Sequence, residues 1–148
     1  MAPIIHSVEI ARRPEDVFAY LEALERHGEW QDGIISARVG TEGPVRVGTR
    51  ATEVRHMGGR NQAFTYEITE HDPPRLLAFR GVDGPVRVVG RSTVEPLGDG
   101  SSSRVTVELD FEGHGLGKAF APLARKQAAK EVPKSQQKLK ELLENGTA

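Results

Sequence analysis

The chain has no cysteine, which excludes a disulfide framework, a thiol nucleophile, a zinc ribbon and an iron–sulfur cluster. Aromatic residues are scarce, with one Trp, two Tyr and five Phe in 148 residues. Neither sign of charge dominates: 20 basic residues meet 21 acidic ones, leaving a formal charge of -1. That balance argues against a nucleic-acid-binding or membrane-surface protein, which usually carries a basic excess or a basic stripe. No window is apolar for long enough to cross a bilayer, and the opening Met1-Ala2-Pro3-Ile4-Ile5-His6 lacks a basic stretch leading into a long apolar one. A cytoplasmic protein without membrane insertion is expected. Chemical motifs are also missing: no Gly-x-Ser-x-Gly elbow, no phosphate-binding Gly-x-x-x-x-Gly-Lys and no dinucleotide fingerprint. His6, His27, His71 and His114 are scattered, none paired at the i, i+4 spacing of a helical metal site, so neither metal nor cofactor is expected.

Glycine and proline, by contrast, are plentiful at 16 and 9. Such punctuation implies many short elements joined by tight turns. With 37% hydrophobic residues, no lasting shift in composition and no repeat, the whole of 1–148 reads as one domain. Residues 4 to 10 alternate, with Ile4, His6, Val8 and Ile10 on one face, which predicts a half-buried strand. Pro14-Glu15-Asp16 opens a helix with apolar residues at Val17, Phe18, Leu21 and Leu24, and His27-Gly28 stops it.

From residue 34 the pattern is strand and turn. Strands are predicted over 34–39, 49–57, 62–70, 75–80, 86–95 and 104–111, with turns at Gly40 to Pro44, Gly58-Gly59, Asp72-Pro73-Pro74, Asp83-Gly84-Pro85 and Gly98 to Ser103. Counting the first, that makes seven. After Gly113 to Gly117 the period becomes helical to about Glu144. Leu116, Phe120 and Leu123 start an apolar stripe and Leu139, Leu142 and Leu143 finish it, with Gln127, Glu131 and Ser135 between them. A stripe polar in its middle suits a helix lining a cavity and equally suits one with a solvated centre. Pro133 is expected to kink or interrupt this helix. Its basic run from Lys118 to Lys140 reads as solvated surface.

This order of elements, together with Ile10 to Phe18 and Trp30 beyond it, Val47-Gly48-Thr49-Arg50, Tyr66 to Leu76 and Gly100 to Val107, resembles the START-like, or SRPBCC, superfamily and within it the polyketide cyclase/dehydrase branch. The resemblance implies an α+β helix-grip fold: a bent, seven-stranded antiparallel sheet wrapped around a long C-terminal helix, with short helices after the first strand. It also implies an apolar cavity between sheet and helix for a small hydrophobic molecule, lipid- or polyketide-like. A minority of such proteins catalyse cyclisation or dehydration there. Gly90 and Ser92, small residues in mid-strand, fit a hollow interior or a bend in the sheet.

On that reading the ligand-binding residues are Trp30, Phe64, Tyr66, Phe79, Val88, Leu109, Phe120 and Gln127. Trp30 carries a polar N–H on a large apolar ring, and packing alone also accounts for it. Tyr66 offers a hydroxyl to a ligand carbonyl or to a buried neighbour. Tyr66 and His56 are the candidates for proton transfer, although His56 stands near a strand end where exposure is expected. Glu53 and Arg55 share a face with Ala51 and Met57: lining the cavity they would form a buried charged couple able to orient a polar ligand, and facing water a routine surface pair, which is the favoured assignment. Two functions compete: a carrier or sensor of a hydrophobic molecule, and a cyclase or dehydratase using the same cavity mainly to orient a flexible chain. No acid–base pair at a fixed spacing supports the second, and protein partners are left open.

Overall fold

The structure is a computed structural model and describes residues 2–57 and 59–146. Strand β1 spans Ile4–Ile10, followed by helix α1 over Pro14–Leu21 and a 3₁₀ segment over Leu24–Glu29. Six strands come next: β2 Ile34–Val39, β3 Arg50–Met57, β4 Arg60–Asp72, β5 Leu76–Gly81, β6 Val86–Leu97 and β7 Ser102–Gly113. Helix α2, Gly117–Glu144, closes the chain. The strands form one antiparallel sheet in the order β1-β7-β6-β5-β4-β3-β2, a meander whose last strand takes β1 onto its free edge. The seven-stranded antiparallel sheet and long C-terminal helix agree with the expected architecture. Gly58, part of the predicted β3–β4 turn, lies outside the described residues.

One predicted element divides in two. α1 stops at Leu21, and Ala23 at φ -75°, ψ 75° leaves the helical region before the 3₁₀ turns begin. The break lets Leu24 enter the core while the Tyr20 hydroxyl donates to Glu29 Oε1 at 2.8 Å across it. A helix running straight on to residue 27 would carry His27 and Trp30 past the sheet. Pro14 sits at the first turn with Glu15 and Asp16, as the helix dipole favours, and Asp16 is held by Arg12 at 3.2 Å.

The second helix differs from expectation in two ways. It is not interrupted at Pro133, the helix continuing through both Pro122 and Pro133. Its two apolar ends also lie on different faces: Leu139 and Leu143 are buried, whereas Leu116, Phe120 and Leu123 stand in solvent. Sixteen residues separate Leu123 from Leu139, and at 100° per residue that interval ends nearly half a turn out of phase. The buried face packs chiefly on β1 and β7, with a lesser contact on β6. Polar links fasten it there. His6 Nδ1 meets Gln136 Oε1, Lys140 Nζ donates to the Glu9 carbonyl at 2.8 Å, and Arg12 Nη1 donates to the Leu143 carbonyl at 2.7 Å.

The core follows from these contacts. Val17, Phe18, Leu21 and Leu24 from the first helical region join Ile10, Ala51, Tyr66, Ile68, Leu77, Val94, Val105, Leu139 and Leu143 in one buried cluster. It occupies the end of the sheet beneath α1 and the second half of α2. Toward the other end, Phe64, Val86, Val88, Leu109 and Phe111 remain half-buried.

Candidate functional site

Strand register fixes which side chains share the inner face. Ala51 pairs with Tyr66 and Glu53 with Phe64, Phe79 lies between Ile68 and Gly90, and Gly90 pairs with Leu109 while Val88 pairs with Phe111. Directly paired residues point the same way, so Tyr66, Phe64, Phe79, Val88 and Leu109 form one apolar surface. The structure thus brings five of the expected ligand-binding side chains together. Trp30 joins from the loop after the 3₁₀ segment and packs against the core cluster. Phe120 and Gln127 do not join: both are exposed on α2, on the ridge line that the helical phase turns away from its packed face. His56 is exposed too and shares its Nδ1 with Asn61 Oδ1 at 2.9 Å, on the opposite face of β3 from Glu53.

The assignment of Glu53 and Arg55 to solvent is corrected. Glu53 is 7% exposed. The Ala51, Glu53, Arg55 face turns inward because Ala51 stands opposite Tyr66, a pairing that the polar look of the strand conceals. Arg55 Nη2 donates to Glu53 Oε1 at 3.2 Å and to Gln31 Oε1 at 2.5 Å. The guanidinium neutralises the carboxylate, and the fork geometry suits it for that role.

His27 completes the group. Its Nε2 donates to the Leu21 carbonyl at 2.7 Å, since a carbonyl can only accept, and its Nδ1 lies 4.0 Å from Glu53 Oε2. Burial pushes the imidazole below its ordinary value, against the Leu21 hydrogen bond and the Glu53 charge, which act in the other direction. The Trp30 ring meets the His27 ring edge-on with centroids 5.3 Å apart. His27 and Gln31 escaped the sequence reading, because nothing in the segment from Leu24 to Gln31 announces that it turns toward β3.

Two buried donors here lack acceptors. The Trp30 Nε1–H and the Tyr66 hydroxyl have no hydrogen-bond partner among the described residues. Buried polar groups are nearly always paired, so these two donors are exceptions in the packing of this region. Tyr66 is held as a protonated phenol: burial first, then the Glu53 carboxylate, drives its hydroxyl well above the usual phenol range. Its ring leans on Phe79 with centroids 5.2 Å apart.

Sequence comparison places this geometry. Residues 1–144 match the profile of the family described as polyketide cyclase/dehydrase and lipid transport. The chain belongs to that family. No curated protein matches it in sequence. Solved structures share the family fold. A protein of Thermus thermophilus is 21% identical with 99% of each chain covered and a TM-score of 0.80. The Zhui aromatase/cyclase of a Streptomyces species is 16% identical over 92% of this chain and 87% of its own, at 0.72. A START superfamily protein of Mycobacterium smegmatis is 17% identical over 93% and 99%, at 0.66. The di-domain ARO/CYC BexL from the BE-7585A biosynthetic pathway aligns over 97% of this chain, which spans about half of that longer one (47%). At these identities the likeness is one of fold, and the fold is the helix grip of START-like proteins.

Two open depressions, of about 500 and about 380 Å³, lie along the β1 edge and are lined by residues such as Glu9 and Lys140. Neither is on the inner face, where Val88, Leu109 and Phe79 are left half-exposed. Among the described residues, no three His, Asp or Glu side chains gather as metal ligands, and no helix is long and apolar enough to cross a membrane.

Proposed function

We propose that the protein binds a small hydrophobic molecule carrying a carbonyl-type acceptor, laid on the inner face of the sheet. The observation that carries this reading is the pair of unpartnered donors, Trp30 Nε1–H and Tyr66 O–H, beside an apolar floor of Phe64, Phe79, Val88 and Leu109. An acceptor on the ligand would satisfy both orphans, and the apolar remainder would bury against the floor. Family membership supports the ligand class, since the family description names polyketides and lipids.

Trp30, the one tryptophan, makes the test direct. Its emission is titrated with a long-chain methyl ketone and with the alkane of equal length. The ketone should bind more tightly, and Tyr66→Phe should weaken it by about fivefold, equivalent to one hydrogen bond of about 1 kcal/mol, while leaving the alkane unaffected. The same substitution should not lower thermal stability, because it removes a buried hydroxyl that has no partner to lose. Equal affinity for ketone and alkane, or an indifferent Tyr66→Phe, would overturn the proposal.

A catalytic reading, cyclisation or dehydration of a polyketide-like chain, would have Tyr66 give a proton to a substrate carbonyl, and burial works against it by making the phenol a weaker acid. Binding ranks above it because Glu53 is already committed to Arg55 and His27 Nε2 to the Leu21 carbonyl. Turnover of a poly-β-ketone probe that Tyr66→Phe abolishes would establish catalysis; binding without turnover would exclude it.

A further inference from the structure

The start of α2 leaves three large apolar side chains in water. Leu116 is 85%, Phe120 56% and Leu123 65% exposed. Their i, i+4, i+7 spacing aligns them in one ridge along the helix, roughly opposite the buried Ala121, Leu139 and Leu143. A lone exposed leucine is ordinary, but a contiguous ridge marks an interaction surface. At such exposures no neighbouring side chains wall the ridge into a groove, so it does not suit a partner helix that needs flanking contacts.

Charge identifies the occupant. Residues 114 to 130 hold four cations, Lys118, Arg125, Lys126 and Lys130, and no acid. Lys126, Lys130 and Lys134 are exposed and lie within about a quarter turn of the ridge line. Glu131, just past this stretch, also lies within about a quarter turn of the ridge line and keeps its charge, so three exposed lysines face one carboxylate there. Asp83, in the turn whose Pro85 abuts Gly117, accepts the Thr65 N–H at 3.3 Å, and Glu131 takes the Gln127 amide at 3.4 Å. Arg125 is turned inward, its Nε donating to the Ala2 carbonyl at 2.8 Å. The balanced net charge of the whole chain hides this local excess.

We propose that the first half of α2 is a peripheral docking face for an anionic lipid bilayer. Leu116, Phe120 and Leu123 enter the interfacial zone, and Lys126, Lys130 and Lys134 meet the headgroup phosphates, the arrangement by which an amphipathic basic helix lies in a membrane plane. A second copy of the chain fits less well. Two-fold packing of ridge on ridge would set the lysine rows of the two copies against each other. The inference does not depend on which molecule the inner face takes.

Flotation of the full chain with vesicles of phosphatidylcholine and phosphatidylglycerol in equal parts, against phosphatidylcholine alone, tests the proposal. Binding is expected on the anionic vesicles only, falling as salt is added. Leu116→Asp with Leu123→Asp should reduce it by about tenfold or more. Both sites are exposed, so circular dichroism should be unchanged. Lys126→Glu with Lys130→Glu should abolish the preference for anionic vesicles. No binding to those vesicles, binding that both variants leave intact, or a concentration-dependent dimer that Leu123→Asp dissolves would each overturn the docking face. The ketone titration of Trp30 in the leucine variant keeps the two proposals separable, since it should be unaltered.

Discussion

At the scale of single residues, His27 shows how burial turns a common side chain into a fixed part. Its Nε2–H is committed to the Leu21 carbonyl, and burial keeps the ring neutral. The folded value lies below 6.5, so the unfolded chain takes up the proton first as pH falls. This contribution to stability is full above about 6.5 and is lost as pH drops through the lowered folded value. The thermal midpoint should therefore fall between about pH 7.5 and about pH 5, and His27→Gln, which keeps a donor but cannot titrate, should flatten that part of the curve. An unchanged slope in the variant would place the effect on another group. Trp30 was legible as a candidate from its place beyond the first helix, and Tyr66 from strand alternation that sets it on one face with Phe64. Their missing partners were not, since whether a buried donor is satisfied depends on atoms that sequence does not position.

At the scale of elements, the surroundings of Gly90 narrow its sequence meaning. A small residue in mid-strand fitted either a hollow interior or a bend in the sheet, and a Cβ placed there would stand 2.2 Å from Phe79 Cε1 and 2.9 Å from Leu109 Cδ2. The space above the glycine is taken by the Phe79 ring and the Leu109 side chain. Gly90→Ala should cost about 1–3 kcal/mol in a denaturant melt, by forcing that ring aside. A cost near zero would mean that the ring moves freely. Strand alternation made β1, β4 and β7 readable, since one face of each is apolar. β3 was misread for a physical reason: its inner face is Ala51, Glu53 and Arg55, a small residue and an ion pair, while Val54 lies on the outer face. In α2 the misreading came from phase, because two apolar patches sixteen residues apart do not share a side.

At the scale of the molecule, α2 divides into a bound half and an open one. Gln136, Leu139 and Leu143 are buried against β1 and β7, whereas the turns from Leu116 to Lys130 expose most of their side chains. Local opening should follow that division, since few buried contacts mean a small opening free energy. Amide hydrogen exchange is expected to be slow over 136–143 and faster over 118–130, and uniform protection along the helix would contradict this. By itself the sequence determined what depends on neighbours along the chain: the seven strands, the turns where Gly and Pro demand them, and the helical period after Gly117. Only the tertiary structure decided which face of β3 turns inward, that Glu53 is buried beside a half-buried Arg55, that the Trp30 N–H and the Tyr66 hydroxyl lack partners, and that the first half of α2 stays uncovered. Those outcomes rest on contacts between residues far apart in the chain, and burial there is set by what another element supplies rather than by the residue's own type.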